Sequence, residues 1–351
     1  MATPNELLFD SAISHQIGVR NFASGEVRRL LAILEEADRN LVRRLRVELA
    51  RFGDDVDFTG EKLLALIAFV RGLRRGVMQQ FRIEIRSMLF NLASAEAAFE
   101  RRMLQRATPQ PFDFRTARAK DLRRVTVAQP FDGRLLREWF QSLERADLAS
   151  VTRVIQSGLA ERKPVTQIIR DVAGTKIQRF SDGVLSQTRR NAEAVIRTSI
   201  THVSTAARQE VWKENADSII ALRWTAILDG RTSAICRARD EHYAPVPGGK
   251  PLPPDLPRLR PEGARPPAHV NCRSVMVPIL DPEKFGAIPD RVSYNEWLRR
   301  QTAEEQDKIL GKAKGALFRR GDLDVDKFVD RRGQEITLDQ LRKQEPKAFA
   351  D

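Results

Sequence analysis

The chain has 351 residues, with 60 Lys plus Arg against 47 Asp plus Glu, a formal net charge of +13. That length supports two or three units with cores of their own, and the cationic excess suits contact with a polyanion, nucleic acid foremost, as well as it suits ordinary solvated basic faces. The longest purely apolar run, residues 63–70, falls far short of the roughly 20 residues a bilayer crossing needs. Residues 1–6 lack the basic-then-apolar layout of a secretory leader, so synthesis and first action in the cytoplasm are expected.

The first half reads as helix. Residues 26–52 carry Val27, Leu30, Leu31, Leu34, Leu41, Leu45 and Leu49 near helical spacing, with charges on the other face. Gly53 ends this stretch, and a second helix is expected over 60–104, capped by Thr59. Pro109 and Pro111 interrupt the chain, 113–130 reads as irregular, and Val125-Thr126-Val127 is a short-strand candidate. A helical block follows from Asp132, with Leu135, Leu136, Trp139, Phe140 and Leu143 on one face. Separate helices are expected over 147–160 and from Lys163.

Residues 186–215 read as one long helix whose stripe of Thr188, Ala192, Val195, Ser199, His202, Ala206 and Val211 suits close packing against other helices. Two strands are then expected, over 219–228 and 274–280. Residues 244–268 between them carry nine of the 18 prolines, which excludes a helix or a central strand and predicts an extended surface loop with its ends brought together. Helices are expected again over 294–300 and 303–318, an extended piece at Phe328-Val329, a turn at residues 331–333, and a last helix capped by Thr337, with a frayed tail after Lys343. The fold class is therefore mainly α with a small α+β module in the C-terminal half. Four segments result: an N-terminal helical region (1–107), a second helical block (108–184), a module of long helix, strands and Pro-rich loop (185–285), and a C-terminal helical extension (286–351).

Both cysteines and two of the four histidines fall in the order Cys236, His242, His269, Cys272. Two thiolates and two imidazoles are a sufficient tetrahedral set for a structural zinc, although gaps of five, 26 and two residues match no common zinc-finger spacing. The other readings are a loop pinned by His269 and Asn271 hydrogen bonds, with both cysteines as small buried residues, and a disulfide formed in an oxidising medium. Asp229 and Arg231, beside Thr232, form either an ordinary Asp-Gly turn or a charged knot with Arg273. The patterns of zinc deaminases, HExxH hydrolases, phosphate loops and serine elbows are all absent, so no catalytic residue is assigned and the chain is not expected to be an enzyme.

Taken as a set, Arg197-Thr198, Trp224, then Asp229-x-Arg231-Thr232-Ser233-x-x-Cys236-Arg237, and after the Pro-rich gap Pro266-Pro267-x-His269-x-Asn271-Cys272-Arg273-Ser274 resemble the Mu F-like minor head proteins, the head-morphogenesis domain of tailed bacteriophages. The match covers roughly residues 185–280. The resemblance implies a structural knot of Asp229, Arg231, Thr232, Cys236, His269, Asn271, Cys272 and Arg273. Many members carry Cys where this chain has Ser233 and Ser274, so a four-cysteine site is excluded here, any metal must recruit histidine, and a hydrogen-bonded knot with no cofactor is favoured over zinc.

The family further implies a virion protein inside the head near the portal vertex, present in the host cytoplasm during assembly. Its expected partners are the portal protein, the scaffold or major capsid protein, and double-stranded DNA without sequence preference, with a part in genome ejection. The alternative is a head-carried enzyme, a nuclease or toxin-like effector injected into the host, whose polar candidates are His242, Asp229, Arg231, Glu241 and His269. A sequence-specific regulator ranks last, because no helix-turn-helix is evident.

Overall fold

Thr3 starts the first helix. Its hydroxyl accepts the Glu6 N–H while the Glu6 carboxylate accepts the Thr3 N–H at 2.7 Å, a reciprocal cap, and Pro4 fills the first helical position. The computed structural model describes residues 2–51, 60–108, 112–130, 133–226, 232–260, 265–289, 294–321, 323–328 and 336–349. Helix α1 runs Pro4–Ala50, far longer than the 26–52 expected from periodicity. The extra turns bury Leu8, Phe9, Ala12, Ile13 and Ile17, an apolar face interrupted by polar residues that also turn inward.

Helix α2 (Gly60–Ala107) returns beside α1. The strand expected at 125–127 is instead part of α3 (Ala119–Ala128), where Leu122 and Val125, three residues apart, are buried together; the short β-branched run yields to helical packing. The two helices expected on either side of residue 147 are one, α4 (Leu136–Ala160). Asp147, read as a helix start, is buried inside α4. Helix α5 (Val165–Ala173) follows Pro164, and α6 (Val184–Glu214) buries all seven residues of the predicted stripe.

Two polar seams bind these helices. In the first, the buried Arg74 of α2 donates from Nε and Nη2 to both Asp147 carboxylate oxygens (2.7 Å each) and from Nη1 to Asp38 of α1 at 2.6 Å. Thr188 of α6 adds a bond to Asp147, and Arg189 also donates to Asp38. In the second, between α2 and α6, Glu96 accepts from Ser204 at 2.6 Å and lies 2.8 Å from His15 of α1. Glu100 accepts from Trp212 Nε1 at 2.5 Å, and the fully buried Arg208 guanidinium lies 3.7 Å from Glu96. Burial pushes the Glu100 carboxyl up to about 7 against the pull of Arg208.

Strand β1 (Ile219–Thr225) pairs antiparallel with both β2 (Tyr243–Ala244) and β3 (Val275–Leu280), in the order β2-β1-β3. Pro278 is tolerated because β3 is an edge strand. The Asn5 side chain of α1 continues that edge as a backbone would: Oδ1 accepts the Leu280 N–H at 3.0 Å, while Nδ2 donates to the carbonyls of Leu280 (3.2 Å) and Gly286 (2.7 Å). The Pro-rich segment is extended, as expected, yet not merely superficial. Leu252 and Leu256 pack with Ala221, Tyr243 and Ile279 and cover one sheet face.

A six-residue helix, α7 (Ala234–Arg239), precedes β2, and a one-turn helix, α8 (Pro282–Phe285), follows β3. Helix α9 (Tyr294–Arg300) falls where expected. The helix expected over 303–318 is two, α10 (Ala303–Leu310) and α11 (Lys312–Arg320), separated at Gly311, whose φ of 79° a side-chain-bearing residue rarely adopts. Residues Val325–Phe328 form a 3₁₀ turn rather than an extended piece; Val329 and the turn expected at 331–333 lie outside the described residues. Thr337 caps α12 (Leu338–Gln344) as expected. The tail beyond it is a second 3₁₀ turn, Pro346–Phe349, not frayed, because Ala348 is buried and its carbonyl accepts from Arg320 at 2.8 Å. One hydrophobic cluster contains residues of all four sequence segments, from Leu8 to Ala348. Among the described residues no helix is long and apolar enough to cross a membrane.

Candidate metal centre

The β1–β3 ladder places the site. Thr225 pairs with Val275, so the chain leaving β1 and the chain entering β3 meet at one end of the sheet. The first carries Cys236 eleven residues past Thr225, and the second carries Cys272 three residues before Val275. On the first, Ser233 caps α7 by accepting the Cys236 N–H at 3.2 Å, which fixes Cys236 one helical turn beyond the cap. On the second, residues 269–272 form a tight turn closed by Cys272 N–H to the His269 carbonyl at 3.1 Å. Asn271 sits there at φ 60°, a left-handed conformation that Asn tolerates better than most residues. Helix α6 supports this turn through Thr198 Oγ1, which accepts the Asn271 N–H at 3.4 Å, and Thr201 Oγ1, 3.5 Å from the Cys272 carbonyl.

The outcome is a three-donor cluster of Cys236, His269 and Cys272, their ligand atoms all within 4.8 Å of one another, which can hold a metal ion. The sulfurs are 3.7 Å apart, and His269 Nε2 lies 3.1 Å from Cys236 Sγ and 2.9 Å from Ser233 Oγ. Two thiolates bound at about 2.3 Å to a tetrahedral zinc stand roughly 3.8 Å apart, so the sulfur pair already has the spacing of a tetrahedron's edge. Both thiols are free and buried, and their separation is far beyond the roughly 2.05 Å of a disulfide. His269 Nδ1 lies 2.8 Å from the Val270 carbonyl. An Nδ1–H donated there leaves the Nε2 lone pair facing the sulfurs, as ligating imidazoles are commonly arranged. The hydrogen bond shared by the two sulfurs pushes Cys272 down to about 6 and the Cys236 thiol up; hydrogen bonds from the Ala268 and Ser274 backbone assist Cys272 while burial opposes.

Of the expected four-ligand set, His242 is not brought in. Its Nδ1 contacts the Asp240 carbonyl at 3.0 Å, and its own carbonyl accepts the Trp224 N–H at 2.8 Å, which ties residue 242 to the β1 end of the β2 hairpin. Of the expected knot, Thr232, Cys236, His269, Asn271, Cys272 and Arg273 are described and lie along these two segments. Thr232 is buried and Arg273 half-buried, whereas Asp229 and Arg231 lie outside the described residues. Glu241, at φ 63°, accepts from the buried Arg223 at 3.1 Å. Ser233, Thr198 and Thr201 also support the site, although none is a candidate by residue type alone. The Ser-x-x-Cys spacing of a helix cap was the available signal for Ser233.

A cavity of about 270 Å³ between α4, α6 and the 267–270 turn includes His269 in its wall. The two cysteines do not line it, and neither does any carboxylate. Its walls are mostly apolar, with Arg134 stacked over Trp139 at 4.5 Å. Compared with known protein families, curated proteins and solved structures, the chain matches none.

Proposed function

We propose that the chain is a minor structural protein of a tailed-phage head, acting in procapsid assembly near the portal, in non-specific contact with packaged DNA, and with a part in genome delivery. The cluster of Cys236, His269 and Cys272 serves as a structural zinc staple in this reading. Zinc suits two thiolates and an imidazole, and when bound it would lock the start of α7 to the turn before β3. The single observation that supports the reading best is the convergence of residues 232–236 and 266–274 beside α6, because these are the two blocks on which the resemblance to Mu F-like head proteins rests. The helices α1 and α2 would then offer the assembly surface, with the sheet module as a rigid platform.

A reconstruction of procapsids with the chain labelled tests the role: density at the portal vertex is expected, and uniform lattice density or absence from heads contradicts it. The alternative, a head-carried nuclease or effector, draws on the three-donor geometry, which leaves one tetrahedral position for water. Against it stand the burial of both thiols and the lack of a carboxylate along the cavity beside His269. Metal-dependent DNA cleavage that is lost in His269→Ala would favour that alternative.

A further inference from the structure

The groove between α2 and α4 gathers four arginines around one depression. It encloses about 450 Å³ and is lined by Arg71 and Arg75 of α2 and by Arg145, Leu148, Ala149, Thr152, Arg153 and Gln156 of α4. All four arginines are exposed, and no acidic residue lines the groove. Elsewhere on the helices, some surface arginines take a carboxylate partner three residues away, as Arg29 does with Glu26, Arg39 with Glu36, Arg51 with Glu48 and Arg118 with Asp121, while Arg28, Arg44, Arg46 and Arg102 stand exposed on their own among the described residues. In the groove, Arg71, Arg75 and Arg153 have no partner among the described residues, and Arg145 donates only its Nε, to the Gln141 carbonyl at 3.3 Å.

We infer that this groove is a binding site for the phosphate backbone of duplex DNA; the inference rests on the DNA contact proposed above and assigns it to particular residues. Three features carry it. First, the arginines are held in register from beneath. Arg74, between Arg71 and Arg75 in sequence, turns inward and grips Asp147 of α4 through two 2.7 Å bonds, locking the two helices together while their outer cations face solvent. Second, the floor is small. Ala149 lies midway between Arg145 and Arg153, so a backbone can approach closely, and the buried Thr152 hydroxyl beside it has no hydrogen-bond partner within the described protein. Third, the scale is right. Arg145 and Arg153 are eight residues apart, about 12 Å along a helix, against roughly 3.4 Å of duplex axis per phosphate of one strand. Guanidinium forks suit phosphate oxygens in two-point contacts, and contacts to phosphates alone carry no sequence preference.

The test is a salt titration of random-sequence duplex binding by the full chain, comparing wild type with R71Q/R75Q/R145Q/R153Q and with a control that removes the same charge from exposed sites elsewhere, R28Q/R44Q/R46Q/R102Q. Four neutralised phosphates contribute about −3.6 to the slope of log K against log salt. The groove variant is expected to lose about 3 to 4 of the wild-type slope and at least about tenfold in affinity near 0.1 M salt, with the control close to wild type. The two pairwise variants, R71Q/R75Q and R145Q/R153Q, should each lose about half, which keeps the test decisive if the quadruple variant folds poorly. An unchanged slope in the groove variants, an equal loss in the control, or displacement of the duplex by polyglutamate as readily as by competitor DNA overturns the assignment. If wild type binds duplex but the groove variants bind it equally, only the groove falls. If wild type binds no duplex at any salt, the proposed DNA contact falls with it.

Discussion

Replacing Glu100 by Gln should stabilise the protein above neutral pH and leave it nearly unchanged in acid. Glu100 is fully buried, and burial lifts its carboxyl from 4.5 to about 7, against the pull of Arg208 and a hydrogen bond from Trp212. Between those values the folded state keeps a proton that the unfolded chain has released. Stability attributable to this group therefore falls as pH rises from 4.5 to 7. A shift of about 2.5 units corresponds to about 3 kcal/mol once the carboxylate is charged. Gln keeps an acceptor for Trp212 Nε1 and never ionises, so E100Q should exceed wild type by about that amount near pH 8 and match it near pH 4.

His202 on α6 works in the opposite sense. Burial, and then the nearby Arg265 charge, lower it from 6.5 to about 3, so its contribution is present above 6.5 and is lost as pH falls toward 3. Over the shared window from 4.5 to 6.5 the two slopes, each about 1.4 kcal/mol per pH unit, largely cancel in wild type. Removing Glu100 exposes the His202 slope: E100Q should lose stability with acid where wild type stays flat. Urea unfolding of both proteins across the window reads this directly. Parallel wild-type and E100Q curves from about pH 4 to about pH 8 would show that Glu100 does not titrate at a raised value in the folded protein.

Arg74→Met should cost about 3–5 kcal/mol, because Asp38 and Asp147 lose the cation that joins them; the variant's midpoint in denaturant should then recover as the pH is lowered and the stranded carboxylates protonate. Asn5→Ala should cost about 3 kcal/mol by leaving the Leu280 N–H and the Leu280 and Gly286 carbonyls short of partners. Its signature is early hydrogen exchange at Leu280, with the α4–α5 region unaffected.

The long helices were legible because their apolar stripes persist over many turns: all seven marked residues of α6 are buried. The two main strands were legible from β-branched and aromatic runs flanked by loop chemistry. Errors arose where tertiary packing overrode short-range pattern. Val125-Thr126-Val127 looks extended in isolation but is helical because Leu122 and Val125 face the core together. Asp147 reads as the first residue of a new helix, yet in the fold it is the buried anion for Arg74, a pairing across 73 residues that no local window contains.

The same limit shaped the metal centre. Cys236, His269 and Cys272 were identifiable as donors by residue type, and their junction follows from the pairing of Thr225 with Val275. His242 is a donor of the right type lying between the two cysteines in sequence, but the fold holds its ring against the Asp240 carbonyl. The arginine groove was invisible because Arg71, Arg75, Arg145 and Arg153 stand on two helices and share a surface only after folding.

Metal content with ligand identity, obtained by elemental analysis and X-ray absorption on the full chain purified without added metal, bears most directly on the proposed staple. One zinc per chain is expected, with two sulfur ligands and at least one imidazole nitrogen, retained in His242→Ala and lost in Cys236→Ser/Cys272→Ser. A metal-free protein whose two thiols react freely, or one whose zinc survives loss of both cysteines, would contradict it.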